Sequence, residues 1–231
     1  MSLTPGERVR ELPLFPLPLV LFPNMMLPLH IFEERYKSLV NLCLEGGRRF
    51  GIVLAGEQNE TTGEARTARI GCAARIVRVE RLPDGRMNIE VLGEERFRIL
   101  DSHENQPFRT GVVEDFADAP TDSTRLAGLR DEVQELLSEF LRLHLRRMRR
   151  EATFALPDDP TTLSFMASCV LPIDNRSKQT LLEFSDTALR LGATRDILDA
   201  EVGRLSREPE PRTAEWTPLT DEFLARYRCN N

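Results

Sequence analysis

Few residues of this chain have the types and spacing that catalysis requires. Its three histidines, His30, His103 and His144, are isolated from one another in the sequence. The motif G-x-S-x-G, which holds the reactive serine of many hydrolases on a sharp turn, does not occur. Carboxylate clusters such as the one in GVVEDF are typical of solvated strand ends. The sequence therefore predicts no catalytic residues and a protein that is not an enzyme.

Lysine, which nucleotide-binding loops and some peptidases need, occurs only at Lys37 and Lys178. A phosphate-binding loop of the form G-x-x-x-x-G-K-[ST] requires a Gly-Lys pair, because glycine amides and the lysine surround the phosphates. No Gly-Lys pair is present. Ser177 precedes Lys178, but neighbours on a helix point in different directions and do not form a catalytic pair. We expect neither ATP hydrolysis nor peptidase activity, and no cofactor.

The four cysteines do not form a metal site in this interpretation. They are widely separated, with no C-x-x-C pair and no nearby histidine, whereas zinc ligands usually come in close pairs. We also expect no export signal, and no apolar run reaches the roughly 18 residues that a membrane span needs. We therefore expect a cytoplasmic protein with reduced thiols. Cys43 and Cys169 are predicted to lie in the core, and Cys229 in the tail.

The charge distribution disfavours nucleic acids and membranes as partners. The formal net charge is −6. Residues 1–118 carry 15 basic and 18 acidic side chains, and the remaining residues carry 16 basic and 19 acidic ones. Each part therefore has a net charge of −3. One basic cluster could form a nucleic-acid or membrane-surface patch. Alternatively, its cations complement the dipole at the end of a helix. The cluster consists of Arg142, Arg146, Arg147, Arg149 and Arg150.

The best binding candidates lie in the apolar segment that begins at Leu12. Five prolines between Pro13 and Pro28 interrupt it, so we expect extended chain at sheet edges and turns rather than a helix. Edges blocked by proline leave side chains available to apolar partners, and methionines adapt to varied shapes. A place in the hydrophobic core is the alternative for the same side chains. The candidate polypeptide-binding residues are Phe15, Leu17, Phe22, Pro23, Met25 and Met26.

Helical spacing begins at Phe32 and ends at Gly46-Gly47. Phe32, Tyr36, Leu39, Val40 and Cys43 are predicted to share one apolar face, with Glu33 and Lys37 as an i, i+4 ion pair. The polar stretch 56–69 is predicted to be a long loop. Alternating residues from 77 to 91 then predict a hairpin around the turn 83–85, and Gly93 a bulge. About six short strands without the spacing of βαβ units indicate an antiparallel barrel.

A domain boundary is predicted at 117–123, because every periodic segment beyond it is helical. The first helix covers 126–148, Asp159 and Pro160 begin the second, and Asp174 and then Ser185 or Asp186 cap the later ones. We therefore expect an α+β protein with a β-barrel subdomain at 1–118 and an α-helical subdomain at 119–207. Residues 208–231 are predicted to be a linker and an amphipathic tail that contains Trp216.

Several segments resemble a known family in the family's own order. LPLFPL, LFP, PLHIFEERY, CLEGG, RFGIVL, IGCAARI, LPDGR, GEERFRI and LPIDNRSKQTLLE resemble the Lon amino-terminal domain, the substrate-recognition module of ATP-dependent Lon proteases. The resemblance extends over residues 12 to 205 with gaps, and it implies that the antiparallel barrel is of the PUA-like type. The residues that match the family motifs, for which we expect structural roles, are Glu33, Arg35, Tyr36, Asp84, Gly85, Arg96 and Phe97.

The resemblance implies a stand-alone recognition module without ATPase or peptidase domains. Its expected partners are unfolded or partly folded polypeptides, bound at exposed apolar segments, and a separate protease or chaperone, in protein quality control or proteolysis. For Glu33, Arg35 and Tyr36, a place in the binding groove is the alternative to a structural role. The alternative function is RNA binding, because PUA-like barrels also occur in RNA-modifying machinery and the fold does not decide between the two.

Overall fold

The computed structural model describes residues 9–58, 65–150 and 153–208. The predicted tail with Trp216 lies outside the described residues. The elements, in chain order, are β1 (Arg10–Leu17), β2 (Met26–Ile31), α1 (Glu34–Glu45), β3 (Arg49–Gln58), β4 (Ala65–Thr67), β5 (Ile70–Arg81), β6 (Met87–His103), β7 (Thr110–Asp115), α2 (Ser123–Arg147), α3 (Pro160–Val170), α4 (Asn175–Glu183) and α5 (Thr187–Arg207).

Five of the strands close into a ring in the order β1-β7-β6-β5-β3, because β3 pairs back onto β1. Strand β4 pairs with β3, and β2 pairs with β6 outside the ring. The α+β class is confirmed. The expectation of an entirely antiparallel arrangement is wrong at one pair, since β1 and β3 run parallel. Parallel neighbours need a long crossover connection, and here β2 and α1 lie between the two strands in the chain.

Helix α1 buries one face against a hydrophobic core beside the sheet. Tyr36, Leu39, Val40 and Cys43 lie in a cluster of buried side chains that also contains Phe50, Ile52 and Ile76 from β3 and β5. This confirms the predicted helical face except for Phe32, which precedes the helix and is exposed. The predicted i, i+4 pair is also wrong. Lys37 pairs with Glu34 at 2.8 Å, and Glu33 pairs with Arg35.

The predicted hairpin and the predicted bulge are confirmed. Gly85 has φ of +80° in the turn between β5 and β6, a conformation that glycine adopts at no steric cost. Near Gly93 the pairing between β5 and β6 shifts register. A Cβ atom on Gly93 would lie 2.2 Å from the main-chain oxygen of Phe22, so this position requires glycine. The backbone of residues 22–25 is held there, because the Gly93 N–H donates to the Met25 oxygen at 2.8 Å.

Contacts divide the chain into two units. The sheet unit comprises the described residues up to Asp118 together with Ile173–Ser185, and the helical unit comprises Ala119–Pro172 and the described residues from Asp186 onward. The structure therefore differs from the predicted boundaries, which placed α4 in the helical part. Hydrogen bonds from polar side chains hold α4 against the sheet unit. Asn175 donates through its Nδ2 to the main-chain oxygen of Pro18 at 2.7 Å, and Gln179 donates through its Nε2 to the main-chain oxygen of Ile70 at 2.9 Å.

The helical unit is built from α2, α3 and α5, each begun by an aspartate. Asp122, Asp159 and Asp186 accept hydrogen bonds from the first free N–H groups of their helices, which confirms Asp159 and Asp186 as predicted caps. Arg190 of α5 is fully buried in this unit. Its Nε donates to the Ser164 hydroxyl at 2.7 Å, and its guanidinium lies 3.9 Å from the centre of the Phe165 ring.

Candidate functional site

Two of the predicted polypeptide-binding residues belong to the core. Phe15 is 5% exposed and stacks on Tyr36 with 4.0 Å between ring centres, and Phe22 is 1% exposed. A side chain enclosed to this extent cannot contact a bound polypeptide unless the core opens. The assignment of Phe15 and Phe22 as binding residues is therefore corrected to core packing.

The other four predicted binding residues are half-buried. Leu17 and Met25 pack against the same hydrophobic core as α1. Pro23 lies in the turn that follows Phe22, and Met26 lies just after that turn. Backbone bonds to Gly93 hold this turn in place. These four residues expose part of their apolar surface, which is compatible with the predicted contact, and they remain candidates.

The outward face of β2 presents the most exposed apolar surface near these candidates. Side chains of a strand alternate between two faces, and in β2 Leu27 and Ile31 face the core. The opposite face carries Met26, Pro28 and His30, and Phe32 continues it just beyond the strand. We call these four residues the β2 strip. Pro28, His30 and Phe32 are exposed, Phe32 at 60%, and the His30 and Phe32 rings lie 6.2 Å apart, centre to centre.

Sequence reasoning missed Phe32, which it placed on the buried face of α1. The available signal was the run of alternating residues from Met26, which reaches Phe32 at the same period as Pro28 and His30. Glu33 is the residue at which helical hydrogen bonding begins, because its oxygen accepts from the N–H groups of Tyr36 and Lys37. Phe32 therefore follows the strand period.

Polar side chains of β5 and β6 border the β2 strip. His30 Nδ1 lies 2.7 Å from the side-chain oxygen of Asn88, its partner on β6, and Asn88 donates in turn to Glu80 at 3.1 Å. Arg86 lies 3.5 Å from His30 Nε2 and is held at 2.6 Å by Asp84. An apolar centre with a polar rim is the usual composition of a protein-binding surface.

Three residues of the family motif lie at the start of α1. Arg35 forms an ion pair with Glu33 at 2.8 Å, and its guanidinium lies 4.5 Å from the centre of the Tyr36 ring. Burial raises the pKa of Tyr36, and the positive charge of Arg35 acts against that rise. The contacts of Tyr36 join α1 to the core through Phe15. These residues follow the β2 strip directly in the chain.

The other motif residues lie in a turn and beside the core. Asp84 accepts a hydrogen bond from the backbone N–H of Arg86 at 3.1 Å, which lowers the pKa of the Asp84 carboxyl, and Gly85 occupies the positive-φ position of the same turn. Phe97 is completely buried. Arg96 is 4% exposed and contacts the end of α4.

An ion-pair network crosses the outside of the ring, and sequence reasoning did not find it. Two adjacent glutamates at the bulge of β6 each bind two arginines, because a bulge redirects consecutive side chains. Glu94 lies 2.6 Å from Arg75 and 2.9 Å from Arg49. Glu95 lies 3.3 Å from Arg49 and 2.9 Å from Arg10. Arg10 also pairs with Asp115, so three carboxylates balance the charges of the three arginines.

Within residues 9–58, 65–150 and 153–208, no three His, Cys, Asp or Glu side chains are grouped so that they could hold a metal ion. None of the helices in that part of the chain is both long and apolar enough to span a membrane.

Relatives of this chain are Lon proteases. The Lon protease of Cytophaga hutchinsonii is 26% identical over 217 residues, which cover 91% of this chain and 27% of the relative. The Lon protease of Trichlorobacter lovleyi is 29% identical over 216 residues, which cover 90% of this chain and 26% of that relative. The chain thus spans about a quarter of the length of the curated relatives that it matches.

Solved structures show the same fold. A Lon N-terminal domain protein from Xanthomonas campestris is 25% identical, with a TM-score of 0.57 over 80% of this chain and 96% of that one. The N-terminal domain of a Mycobacterium avium complex Lon protease is 19% identical, with a TM-score of 0.62 over 82% of this chain and 98% of that domain. Residues 11–200 match the family described as the ATP-dependent protease La (LON) substrate-binding domain. The predicted resemblance is confirmed, and this chain belongs to that family of substrate-binding domains.

Proposed function

We propose that this chain is a non-catalytic recognition module that binds exposed apolar segments of unfolded or partly folded polypeptides at the β2 strip. Membership of a substrate-binding family supports polypeptide binding in general. The observation that carries the proposed site is the exposed side chain of Phe32, beside Pro28 and His30 on the outward face of β2. The half-buried Met26 and its cross-strand partner Leu92 extend the apolar surface.

Side chains dominate the recognition in this proposal. Among the described strands β2 pairs only with β6, so its other edge has no strand partner. Pro28 lacks an N–H group in the middle of that edge, and an added strand would therefore lose a hydrogen bond there. The aromatic ring of Phe32 and the adaptable side chain of Met26 can instead accept apolar groups of varied shape. We expect a dissociation constant in the micromolar range, about −8 kcal/mol.

The module acts without chemistry of its own, and a separate protease or chaperone processes the bound polypeptide in protein quality control. The match to a substrate-binding domain supports the role in recognition, and residues 1–231 lack the Gly-Lys pair that a nucleotide-binding loop requires. Purified protein is expected neither to hydrolyse ATP nor to cleave casein. ATP turnover that persists through repurification at a constant ratio to the protein would contradict it.

The binding test uses reduced, carboxymethylated α-lactalbumin as a fluorescent unfolded protein and a fluorescent RNA hairpin. Apolar binding should change little between low and high salt, whereas RNA binding falls steeply as counterions compete. We expect anisotropy to rise with the unfolded protein at both salt concentrations. Salt-sensitive binding of the hairpin without any response to the unfolded protein would replace the proposal with RNA recognition.

A pair of variants tests the site itself. Phe32→Ala removes the exposed ring and should weaken binding of the unfolded protein by about fivefold or more, the effect of ~1 kcal/mol at an interface. Leu100→Ala is the matched control, because Leu100 is an apolar side chain of the same unit and is 51% exposed. Equal affinities of the two variants would show that the β2 strip is not the binding surface.

A further inference from the structure

The helical unit contains an open groove between α2 and the segment that follows it. The groove has a volume of about 500 Å³, within the range of ligand-binding pockets. Polar residues of α2 form one wall, and apolar residues of the following segment form the other. The lining residues are Gln134, Glu135, Ser138, Glu139, Arg142, Phe154 and Leu156.

The groove exists because the segment 153–157 runs beside α2 without being part of a helix or strand. Helix α2 buries Val133, Leu137 and Phe140 on one face, which leaves the polar residues beside them accessible. The Gln134 side chain donates through Nε2 to the oxygen of Pro157 at 3.1 Å and holds the end of the segment against the helix. Phe154 and Leu156 remain half-buried and present an apolar surface to the groove.

The polar wall carries an excess of negative charge. Glu139 forms an ion pair with Arg142 one turn along the helix. Glu135 is exposed and has no ion-pair partner within the part of the chain that the structure describes. Two carboxylates and one guanidinium leave the groove with a net charge of −1. A ligand that matches it has a positive charge on an apolar stem.

We propose that this groove of the helical unit is a separate binding site for polypeptides and that it selects a lysine or arginine side chain of the segment bound there. The aliphatic stem packs against Phe154 and Leu156, while the charged end lies at the Glu135 carboxylate. Long basic side chains combine these properties, since their methylene stems cover apolar surface and their charges stay in water. The inference rests on the proposed function, because both concern a bound polypeptide, but it adds a charge preference that the β2 strip does not have.

The test uses two fluorescent peptides with the same apolar sequence, one with arginine and one with citrulline, its neutral analogue, at a single position. The arginine peptide should bind the full chain about threefold to fivefold more tightly, the effect of one exposed ion pair. Added salt should reduce this ratio, because the interacting charges are exposed. Equal binding of the two peptides by the unmodified protein would overturn the inference.

The variant Glu135→Gln should abolish the preference for arginine while the citrulline peptide binds as before. Glu132→Gln is the matched control, with the same charge change on the same helix outside the groove, where Glu132 contacts Arg195 at 3.2 Å. It should keep the preference. A preference that survives in Glu135→Gln, or that disappears equally in Glu132→Gln, would also overturn the inference.

The two proposals fail in distinguishable ways. If the peptides bind equally and Phe32→Ala still weakens binding of the unfolded protein, then only the groove is wrong. If neither peptide nor the unfolded protein binds at all, then the proposed function is wrong and the groove inference with it.

Discussion

The guanidinium of Arg96 on β6 donates to the main-chain oxygen of Leu182 on α4 at 2.6 Å, across 86 positions of sequence. It also donates to the oxygen of Phe184 at 2.6 Å and to the carboxylate of Asp118. The last carbonyl groups of a helix have no partner within it, and a buried acceptor without a donor is costly. Arg96 therefore satisfies the end of α4 and joins it to the sheet.

Replacing this arginine should destabilise the sheet unit strongly. Arg96→Met keeps the length of the side chain but leaves the Leu182 and Phe184 oxygens without their guanidinium donor and the Asp118 carboxylate without its buried cation. We expect a loss of about 3 kcal/mol in the free energy of unfolding, typical of breaking a buried ion pair from one side. Urea unfolding followed by circular dichroism measures it.

Arg98→Met is the matched control for that substitution. Arg98 lies two residues further along β6, is half-exposed, and pairs with Glu114 at 2.8 Å. Exposed ion pairs contribute about 0 to 1 kcal/mol, so the control should unfold close to the unmodified protein. Equal losses in the two variants would mean that the contacts of Arg96 with α4 do not contribute to stability.

A methyl group added at Gly93 should lower the stability of the protein, whereas one added at Gly128 should raise it. At Gly93 a Cβ atom would lie 2.2 Å from the Phe22 oxygen, so Gly93→Ala must displace the turn at residues 22–25. At Gly128, inside α2, no described atom outside the neighbouring backbone of the helix lies within 4 Å of the added carbon. Gly128→Ala should therefore stabilise the protein by about 0.5–1 kcal/mol through helix propensity. Thermal unfolding of both variants shows whether each substitution raises or lowers the stability. An unchanged melting temperature for Gly93→Ala would contradict the close approach of position 93 to the Phe22 oxygen.

Acidification should destabilise the helical unit through His144. Burial lowers the pKa of His144, and the positive charges of Arg147 and Arg204 lower it further. Because the unfolded chain then binds the proton more readily, with a pKa of about 6.5, the free energy of unfolding rises with pH in this range. The contribution is complete above that pKa and is lost as the pH falls toward the folded value.

The variant His144→Gln should flatten this dependence. Urea unfolding of both proteins between about pH 5 and 7.5 should give a smaller slope of stability against pH for the variant, since the carboxyl groups titrate mainly below this range. Above that range the two curves should run parallel, separated only by a constant difference. Identical slopes throughout would show that another group causes the pH dependence.

The three described cysteines should not react in the folded protein. Cys43, Cys72 and Cys169 are buried thiols, and burial raises the pKa of Cys43 to about 11 and raises that of Cys72 further. The thiolate is the reactive form, so both access and ionisation are lost. In a Cys229→Ser variant, Ellman's reagent should detect no thiol until denaturant is added, and then three. A rapid reaction of any thiol before unfolding would contradict the burial.

Local features of this protein could be predicted because the deciding residues are neighbours in the chain. The turn at Asp84 and Gly85 was recognisable because glycine tolerates positive φ, and the cap at Asp159 because its carboxylate reaches N–H groups only a few residues away. The ordered family segments were likewise visible along the chain. The binding candidates were predicted less well, since Phe15 and Phe22 are core residues and Phe32 is exposed.

The sequence by itself therefore determined most of the helices and strands, several caps and turns, and the family to which the chain belongs, although β4 lies inside the predicted loop 56–69. The tertiary structure alone decided which apolar residues are exposed, that β1 pairs parallel with β3, and that α4 packs with the sheet. The physical reason is that spacing shows which side chains share a face but not which face meets the core. That choice depends on contacts between distant residues, such as Arg96 with Leu182 and Gly93 with Phe22, which no local pattern contains.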